Sequence, residues 1–223
     1  MIRFAIILLI LLSSFAQANE DYRIPLNQFI KACTDETYST CKSKLKGTPE
    51  NQQLLMDTLK LMVLNKRFSD LYSSTYGSKA FQEFNGAFKL STSYVNFSDF
   101  TLKSMSNERF ILKDSEGNML DFGNTKQGWK LNVDNSLSGF VVAEAKQLIE
   151  LSIGAYLSLN SKIKPSTSVD DVFKLGGRYF TVVIYNYSNL ETQQKLDKIF
   201  QEKNIDAEKL KQEMFSFYQQ QAQ

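Results

Sequence analysis

Histidine is absent from this chain of 223 residues. Nucleophilic sites that use an imidazole as general base are therefore excluded, as are metal sites with histidine ligands. The chain has only two cysteines, so a zinc site made of four cysteines is excluded as well. An enzyme built on this sequence would have to use carboxylates, lysine, tyrosine or serine. We predict no metal site and no cofactor, and we assign no catalytic residue.

A strong excess of charge of one sign is also missing. The chain has 26 basic and 24 acidic residues, for a formal net charge of +2. Nucleic-acid affinity comes largely from clustered lysine and arginine on phosphates, so we predict no nucleic-acid partner. Proline is scarce, with three residues, whereas phenylalanine and tyrosine number 17 and 10. This composition is typical of a well-packed globular protein.

The longest apolar run stands at the start of the chain and is short. Arg3 precedes the run Phe4–Leu12, and the triplet Ala16-Gln17-Ala18 follows it. This order is typical of a secretory signal peptide, and the run is far shorter than the roughly 20 residues that span a bilayer. We predict that residues 1–18 are removed after Ala18. Residues 19–223 are then expected to form a single soluble domain in the periplasm or outside the cell, with no stable membrane insertion.

Cys33 and Cys41 are the only cysteines, and export would place them in an oxidising compartment. In a continuous helix their Cα atoms would lie about 12 Å apart, beyond the limit of about 7 Å for a disulfide. The backbone must therefore turn between them, and Thr34 to Thr37 supply turn-forming residues. We predict a structural disulfide, since the Cys-x-x-Cys spacing of redox-active pairs is missing.

Helical spacing predicts elements at both ends of the domain. Pro25 opens a short first helix, and Thr48 caps a long second helix that reaches Gly77. Helical spacing returns after Gly139 and ends at Pro165. Ser168 caps the next helix. Two amphipathic helices complete the chain.

The middle of the chain changes to the alternating period of strands. Residues 94–133 are predicted to form an antiparallel meander, with hairpin turns at 114–118 and 124–128. Residues 79–91 fit either a helix or an edge strand. For residues 178–187 the β-branched and aromatic composition favours a strand, but the spacing favours a helix, which we prefer. The predicted fold class is α+β, with helices packed on an antiparallel β-meander and a helical C-terminal segment.

Aromatic side chains supply the candidates for a pocket or an interface. The single tryptophan begins an alternating strand, and many tyrosines combine an apolar ring with a polar hydroxyl, which suits cavities and protein interfaces. Their spacing does not choose between a core position and a binding surface. The candidates are Trp129, Tyr72, Tyr94, Tyr156 and Tyr179.

Two functions fit these observations. The first is an exported, non-enzymatic binding or interaction module that engages a protein partner, as an inhibitor or immunity protein does, or an apolar ligand. The alternative is a hydrolase that cleaves envelope polysaccharide with paired carboxylates, drawn from Glu144, Glu150, Asp170 and Asp171. The two aspartates also have a structural explanation, because acidic residues in the first turn of a helix complement its dipole.

Overall fold

A computed structural model of the chain describes residues 6–7, 22–34, 40–88, 95–96, 100–115, 117–136 and 142–220. Helices and a mixed sheet form an α+β fold, which confirms the predicted class. The chain divides into two compact units. Unit 1 comprises Met1–Met62 and Thr92–Val142, and unit 2 comprises Val63–Ser91 and Ala143–Gln223. The single-domain organisation of residues 19–223 stays a prediction.

Along the sequence, the helices and strands belong first to unit 1, then to unit 2, then again to unit 1 and finally to unit 2. The described helices are α1 (Arg23–Thr34), a 3-10 helix (Lys42–Lys44), α2 (Pro49–Tyr76), α3 (Ser78–Phe88), α4 (Val133–Ser136), α5 (Val142–Lys162), α6 (Val169–Tyr187), α7 (Leu190–Glu202) and α8 (Ala207–Gln220). The described strands are β1 (Ile6–Ile7), β2 (Leu45–Lys46), β3 (Val95–Asn96), β4 (Thr101–Met105), β5 (Arg109–Lys113), β6 (Met119–Thr125) and β7 (Gly128–Asn132).

Unit 1 contains a five-stranded sheet of order β2-β7-β6-β5-β4. Strands β4 to β7 form the antiparallel meander predicted for residues 94–133, although its first strand begins only at Thr101. The edge strand β2 pairs in parallel with β7, with Leu45 opposite Leu131. The sheet is therefore mixed, not purely antiparallel. Strand β1, within the predicted signal peptide, pairs in parallel with β3.

Aromatic packing joins helix α1 to the meander. Phe110 and Phe122 face each other across β5 and β6, and their rings stack with centroids 4.6 Å apart. Phe29 of α1 contacts Phe122 edge-on at 5.4 Å. All three side chains are buried. The predicted packing of helices on the meander is thus confirmed for α1.

Cys33 and Cys41 lie at disulfide distance, with Sγ atoms 2.02 Å apart and Cα atoms 4.3 Å apart. Helix α1 ends at Thr34, one residue after Cys33, and a turn precedes the 3-10 helix that follows Cys41. The predicted backbone break between the cysteines is therefore confirmed. Both cysteines are buried in unit 1.

Unit 2 is built from helices around a ring cluster centred on Phe84 of α3. Phe84 is fully buried and contacts Phe68 of α2 and Phe173 of α6. A Cβ on Gly176 of α6 would lie 2.5 Å from Cζ of Phe84, so a glycine leaves the space for this ring. Of the two ambiguous segments, residues 79–88 are helical within α3 and residues 178–187 are helical within α6, while residues 89–91 lie outside the described residues.

Predicted helix starts are confirmed in both units. Thr48 stands immediately before α2, and its Oγ1 accepts a hydrogen bond of 3.4 Å from the Asn51 N–H. Ser168 caps α6 and accepts a bond of 3.2 Å from the Asp170 N–H. Across the described ranges, we find no helix with the length and apolar content to cross a membrane.

Candidate functional site

An open cleft of about 450 Å³ lies in unit 1, beside the parallel edge of the sheet. Strand β2 and the glycine after it form one wall, and the β6–β7 hairpin forms another. The first turns of α2 contribute a glutamine. The described residues that line the cleft are Leu45, Lys46, Gly47, Gln52, Thr125, Lys126, Gln127 and Lys130.

The lining of the cleft is basic. Three of its described residues are lysines, and no described residue of the lining is acidic. Unit 1 as a whole contains equal numbers of basic and acidic residues, so the positive charge is concentrated at the cleft. Lys46 and Lys126 are exposed, whereas Lys130 is half-buried and donates a hydrogen bond of 2.7 Å to Oε1 of Gln127.

The β6–β7 hairpin fixes the position of two lining residues. Lys126 and Gln127 are the two residues of the turn, as predicted for residues 124–128. The Thr125 hydroxyl donates to the carbonyl of Gly128 at 2.8 Å and accepts from the Gln127 N–H at 3.1 Å. Gly128 has a φ of 93°, a conformation that glycine adopts without strain. Hydrogen bonds within the turn therefore fix the backbone position of Lys126.

Asp134 of α4, an acidic residue beside the lining residue Gly47, already has partners. Its carboxylate accepts hydrogen bonds from the Thr48 N–H at 2.9 Å and from Nδ2 of Asn51 at 2.8 Å. These bonds, led by the Thr48 main-chain bond, lower the pKa of Asp134 below its usual range. A Cβ on Gly47 would lie 2.8 Å from Oδ1 of Asp134, and this glycine has a φ of 145°. Asp134 thus caps α2 and lies against the glycine that lines the cleft.

A second polar group in unit 1 was not foreseen from the sequence. Asp121 of β6 is buried, and Arg109 of β5 donates to it from Nε at 2.7 Å and from Nη2 at 3.1 Å. Asn135 of α4 donates to the same carboxylate. The hydrogen bond from Asn135 fastens α4 to the sheet, and the partners together satisfy the buried carboxylate, which would otherwise be costly.

Unit 2 contains a buried hydrogen-bonded cluster around Tyr179. Its hydroxyl donates to Oε1 of Glu213 at 2.6 Å and lies 2.8 Å from Oγ of Ser158. Tyr179 and Ser158 are fully buried. Burial, together with the bond to Glu213, raises the pKa of Tyr179 well above its usual value. The cluster ties α5, α6 and α8 together.

Tyr72 is the other fully buried tyrosine of unit 2, and its hydroxyl behaves differently. Within the described part of the chain the hydroxyl oxygen has no hydrogen-bond partner. Burial, and then the nearby Tyr76, Asp170 and Glu83, raise the pKa of Tyr72 to about 12. Its ring contacts Phe68 at 5.4 Å.

The structure distributes the predicted aromatic candidates over the two units. Trp129 is half-buried in unit 1, with its ring 5.0 Å from Phe110. Tyr72 and Tyr156 both contact Phe68 in unit 2 and are buried, as is Tyr179. Tyr94 lies outside the described residues. Their role as a pocket or an interface stays a prediction.

The carboxylates of the alternative hydrolase belong to two helices of unit 2. Asp170 and Asp171 are exposed in the first turn of α6, where their charge complements the helix dipole. Glu150 is half-buried on α5, and the side chain of Glu144 lies outside the described residues. Among the residues that the structure describes, no group of three or more potential metal ligands comes together.

The cleft lysines were not singled out from the sequence. Lysines alternate at positions 42, 44 and 46, which is a weak signal of a strand with two different faces. The cleft itself was not predictable from this signal, because the pairing of β2 with β7 brings together residues more than 80 positions apart. Comparison with protein-family models, with curated proteins and with solved structures found no match to this chain.

Proposed function

We propose that this chain is an exported, non-enzymatic binding module and that the cleft of unit 1 is its ligand-binding surface. The observation that carries the proposal is the cleft itself, an open concavity of about 450 Å³ with three lysines on its walls. Ligand sites are usually concave and present a few polar groups that orient the ligand. The ligand is either a protein segment or a smaller molecule.

Export is supported by two independent features. The first 18 residues have the charge, apolar run and small residues of a cleavable signal. The bonded distance between Cys33 and Cys41 is compatible with an oxidising compartment outside the cytoplasm. The intact mass of the protein purified from its natural host should therefore begin at Asn19. A product that retains Met1 would contradict export.

Binding, as opposed to catalysis, is supported by the chemistry of the cleft wall. Its described polar side chains carry ammonium, amide and hydroxyl groups, which hold a ligand by charge and hydrogen bonds. The neighbouring carboxylate of Asp134 is committed to the start of α2.

The test is capture of a ligand from envelope extract by immobilised residues 19–223. We compare the wild type with a triple variant, Lys46→Glu, Lys126→Glu and Lys130→Glu, which reverses the charge of the cleft. The matched control is Lys103→Glu with Lys113→Glu, two exposed lysines of β4 and β5 that are outside the cleft lining. We expect the wild type and the control to retain the same ligand and the triple variant to lose it. Equal retention by all three proteins would contradict the assignment of the cleft.

A second experiment separates binding from hydrolysis. Amide substitutions at Glu144, Glu150, Asp170 and Asp171 should leave ligand capture unchanged. If the wild type degrades envelope polysaccharide and the amide variant does not, the non-enzymatic assignment is wrong.

A further inference from the structure

We infer that the cleft of unit 1 selects a ligand that carries phosphate groups. The inference rests on the proposed function, because it names the ligand class of the same cleft. It starts from Lys46, Lys126 and Lys130, which all line the cleft of about 450 Å³. Like charges placed together repel one another, and an anion with more than one negative charge relieves that repulsion.

The type of cation narrows the ligand class. Among the described lining residues the cations are lysines, with no arginine. An arginine guanidinium is a planar fork that pairs with a carboxylate through two parallel hydrogen bonds, whereas a lysine ammonium acts as a compact point charge. Several point charges favour a ligand with more than one negative charge, such as a phosphate, and lysine is an established phosphate-binding residue.

The other polar side chains of the lining, those of Gln52, Thr125 and Gln127, make hydrogen bonds to neighbouring residues. Gln52 donates through Nε2 to the carbonyl of Gly47 at 2.8 Å, and the Thr125 hydroxyl donates to Gly128. Gln127 accepts from Lys130 through Oε1. The lysines therefore supply the charge that an anionic ligand would meet in the cleft.

Apolar side chains are few among the described lining residues of the same cleft. Leu45 is the one large apolar residue among the described lining residues, and only 4% of it is exposed. Sites for apolar ligands are lined mainly by hydrophobic and aromatic side chains. A volume of about 450 Å³ suits a small phosphorylated molecule or one headgroup. Free phosphate compounds and phospholipid headgroups share this chemistry.

The experiment uses the mature chain, residues 19–223, with inorganic pyrophosphate as the probe of free phosphate. Vesicles of phosphatidylglycerol, with phosphatidylcholine vesicles for comparison, probe a phosphate carried by a lipid. Binding is measured by isothermal titration calorimetry. The variant is Lys126→Gln with Lys130→Gln, and the matched control is Lys103→Gln with Lys113→Gln. Circular dichroism and the melting temperature check that each variant is folded.

We expect pyrophosphate to bind the wild type and the control equally, and to bind the cleft variant about tenfold more weakly, since each exposed ion pair is worth up to about fivefold. Raising the salt concentration should weaken binding to the wild type by screening. Binding of pyrophosphate assigns the cleft to a free phosphate compound. Binding only to phosphatidylglycerol vesicles, lost in the cleft variant, assigns it to a lipid headgroup.

Two results would overturn the inference. In the first, a phosphate probe binds, but the cleft variant and the control weaken it equally. In the second, no phosphate probe binds, while the cleft charge reversal still abolishes capture from envelope extract; the cleft is then a binding surface for another ligand class, and the proposed function survives. Failure of both experiments contradicts the proposed function together with the inference.

Discussion

Tyr72 and Tyr179 are both fully buried in unit 2, but only the hydroxyl of Tyr179 has hydrogen-bond partners among the described residues. Tyr179→Phe should therefore lower the free energy of unfolding by about 2 kcal/mol, because it leaves Ser158 and Glu213 without their partner. Tyr72→Phe should change it by less than about 0.5 kcal/mol or raise it, because a buried unpaired hydroxyl is costly. Urea unfolding of both variants measures the difference. Equal losses would show that the hydroxyl of Tyr72 is also paired.

Burial raises the pKa of Tyr72 from the usual 10.0 to about 12 in the folded protein, which predicts a loss of stability in alkali. The unfolded phenol ionises first, so this contribution is complete below pH 10 and is lost as the pH rises toward 12. The wild type should lose stability relative to Tyr72→Phe over this range. Urea unfolding at pH 8, 10, 11 and 12 tests it, and a constant difference between the two proteins would contradict it.

Gly154 of α5 lies where α8 passes closest. An added Cβ would overlap the main-chain carbonyl of Met214, so Gly154→Ala should lower the free energy of unfolding by about 1–3 kcal/mol. Gly86 of α3 is the matched control, since a Cβ there meets nothing within 4 Å. Gly86→Ala should raise the free energy by about 0.4–1 kcal/mol. Thermal unfolding gives both values, and a neutral Gly154→Ala would disprove the close approach.

At the scale of single residues, the sequence showed which residue types are abundant better than it showed which residues they contact. The abundance of tyrosine was evident, but which hydroxyl is paired depends on Glu213, which lies 34 positions from Tyr179 in the chain. The same holds for the cleft lysines. Lys46 and Lys130 line one cleft because strand β2 pairs with strand β7. Contacts of such separation carry no local signal.

Helix α2 begins with a cap that combines a local and a distant residue. Thr48 is the local part and was predictable, whereas the Asp134 carboxylate comes from α4. Asp134→Asn should lower the free energy of unfolding at pH 7 by about 1 kcal/mol. Since the folded pKa of Asp134 is lowered from 3.8, its contribution is present above pH 3.8 and is lost as the pH falls through the folded value.

The control for this prediction is Glu50→Gln, an exposed acidic residue in the first turn of the same helix. It should cost no more than about 0.5 kcal/mol, the contribution of a charge near a helix dipole. Unfolding at pH 7 and at pH 2.5 gives the comparison. If the two variants lose the same free energy at pH 7, the cap is not the source of the effect.

Elements with a strong local pattern were predicted well, and the weaker ones were decided by packing. The starts of α2 and α6 follow from Thr48 and Ser168, and the hairpins follow from their turn residues. Residues 178–187 have strand-forming composition but form part of α6, because the buried residues Val172, Tyr179 and Val183 recur at helical spacing. Strand β2 has only two residues, too few for a period to show.

Across the whole molecule, the single disulfide is the strongest covalent constraint. Cys33→Ser with Cys41→Ser should lower the free energy of unfolding by about 2.5 kcal/mol through the entropy of the unfolded chain. Because both sulfurs are buried in unit 1, a mild reductant should leave the folded wild type intact. Urea unfolding with and without reductant tests both statements. Equal stability of the wild type and the double variant under oxidising conditions would contradict the first.

The chain passes between the two units within α2, near residue 91 and again near residue 142. Neither unit is one uninterrupted stretch of sequence, so no single cut releases an intact unit on its own. A cut after Val142 keeps all of unit 1 but also keeps the Val63–Ser91 stretch of unit 2, and a cut after Met62 keeps all of unit 2 together with the Thr92–Val142 stretch of unit 1. Unit 1 without the intervening stretch of unit 2 would require joining its two stretches with a new linker.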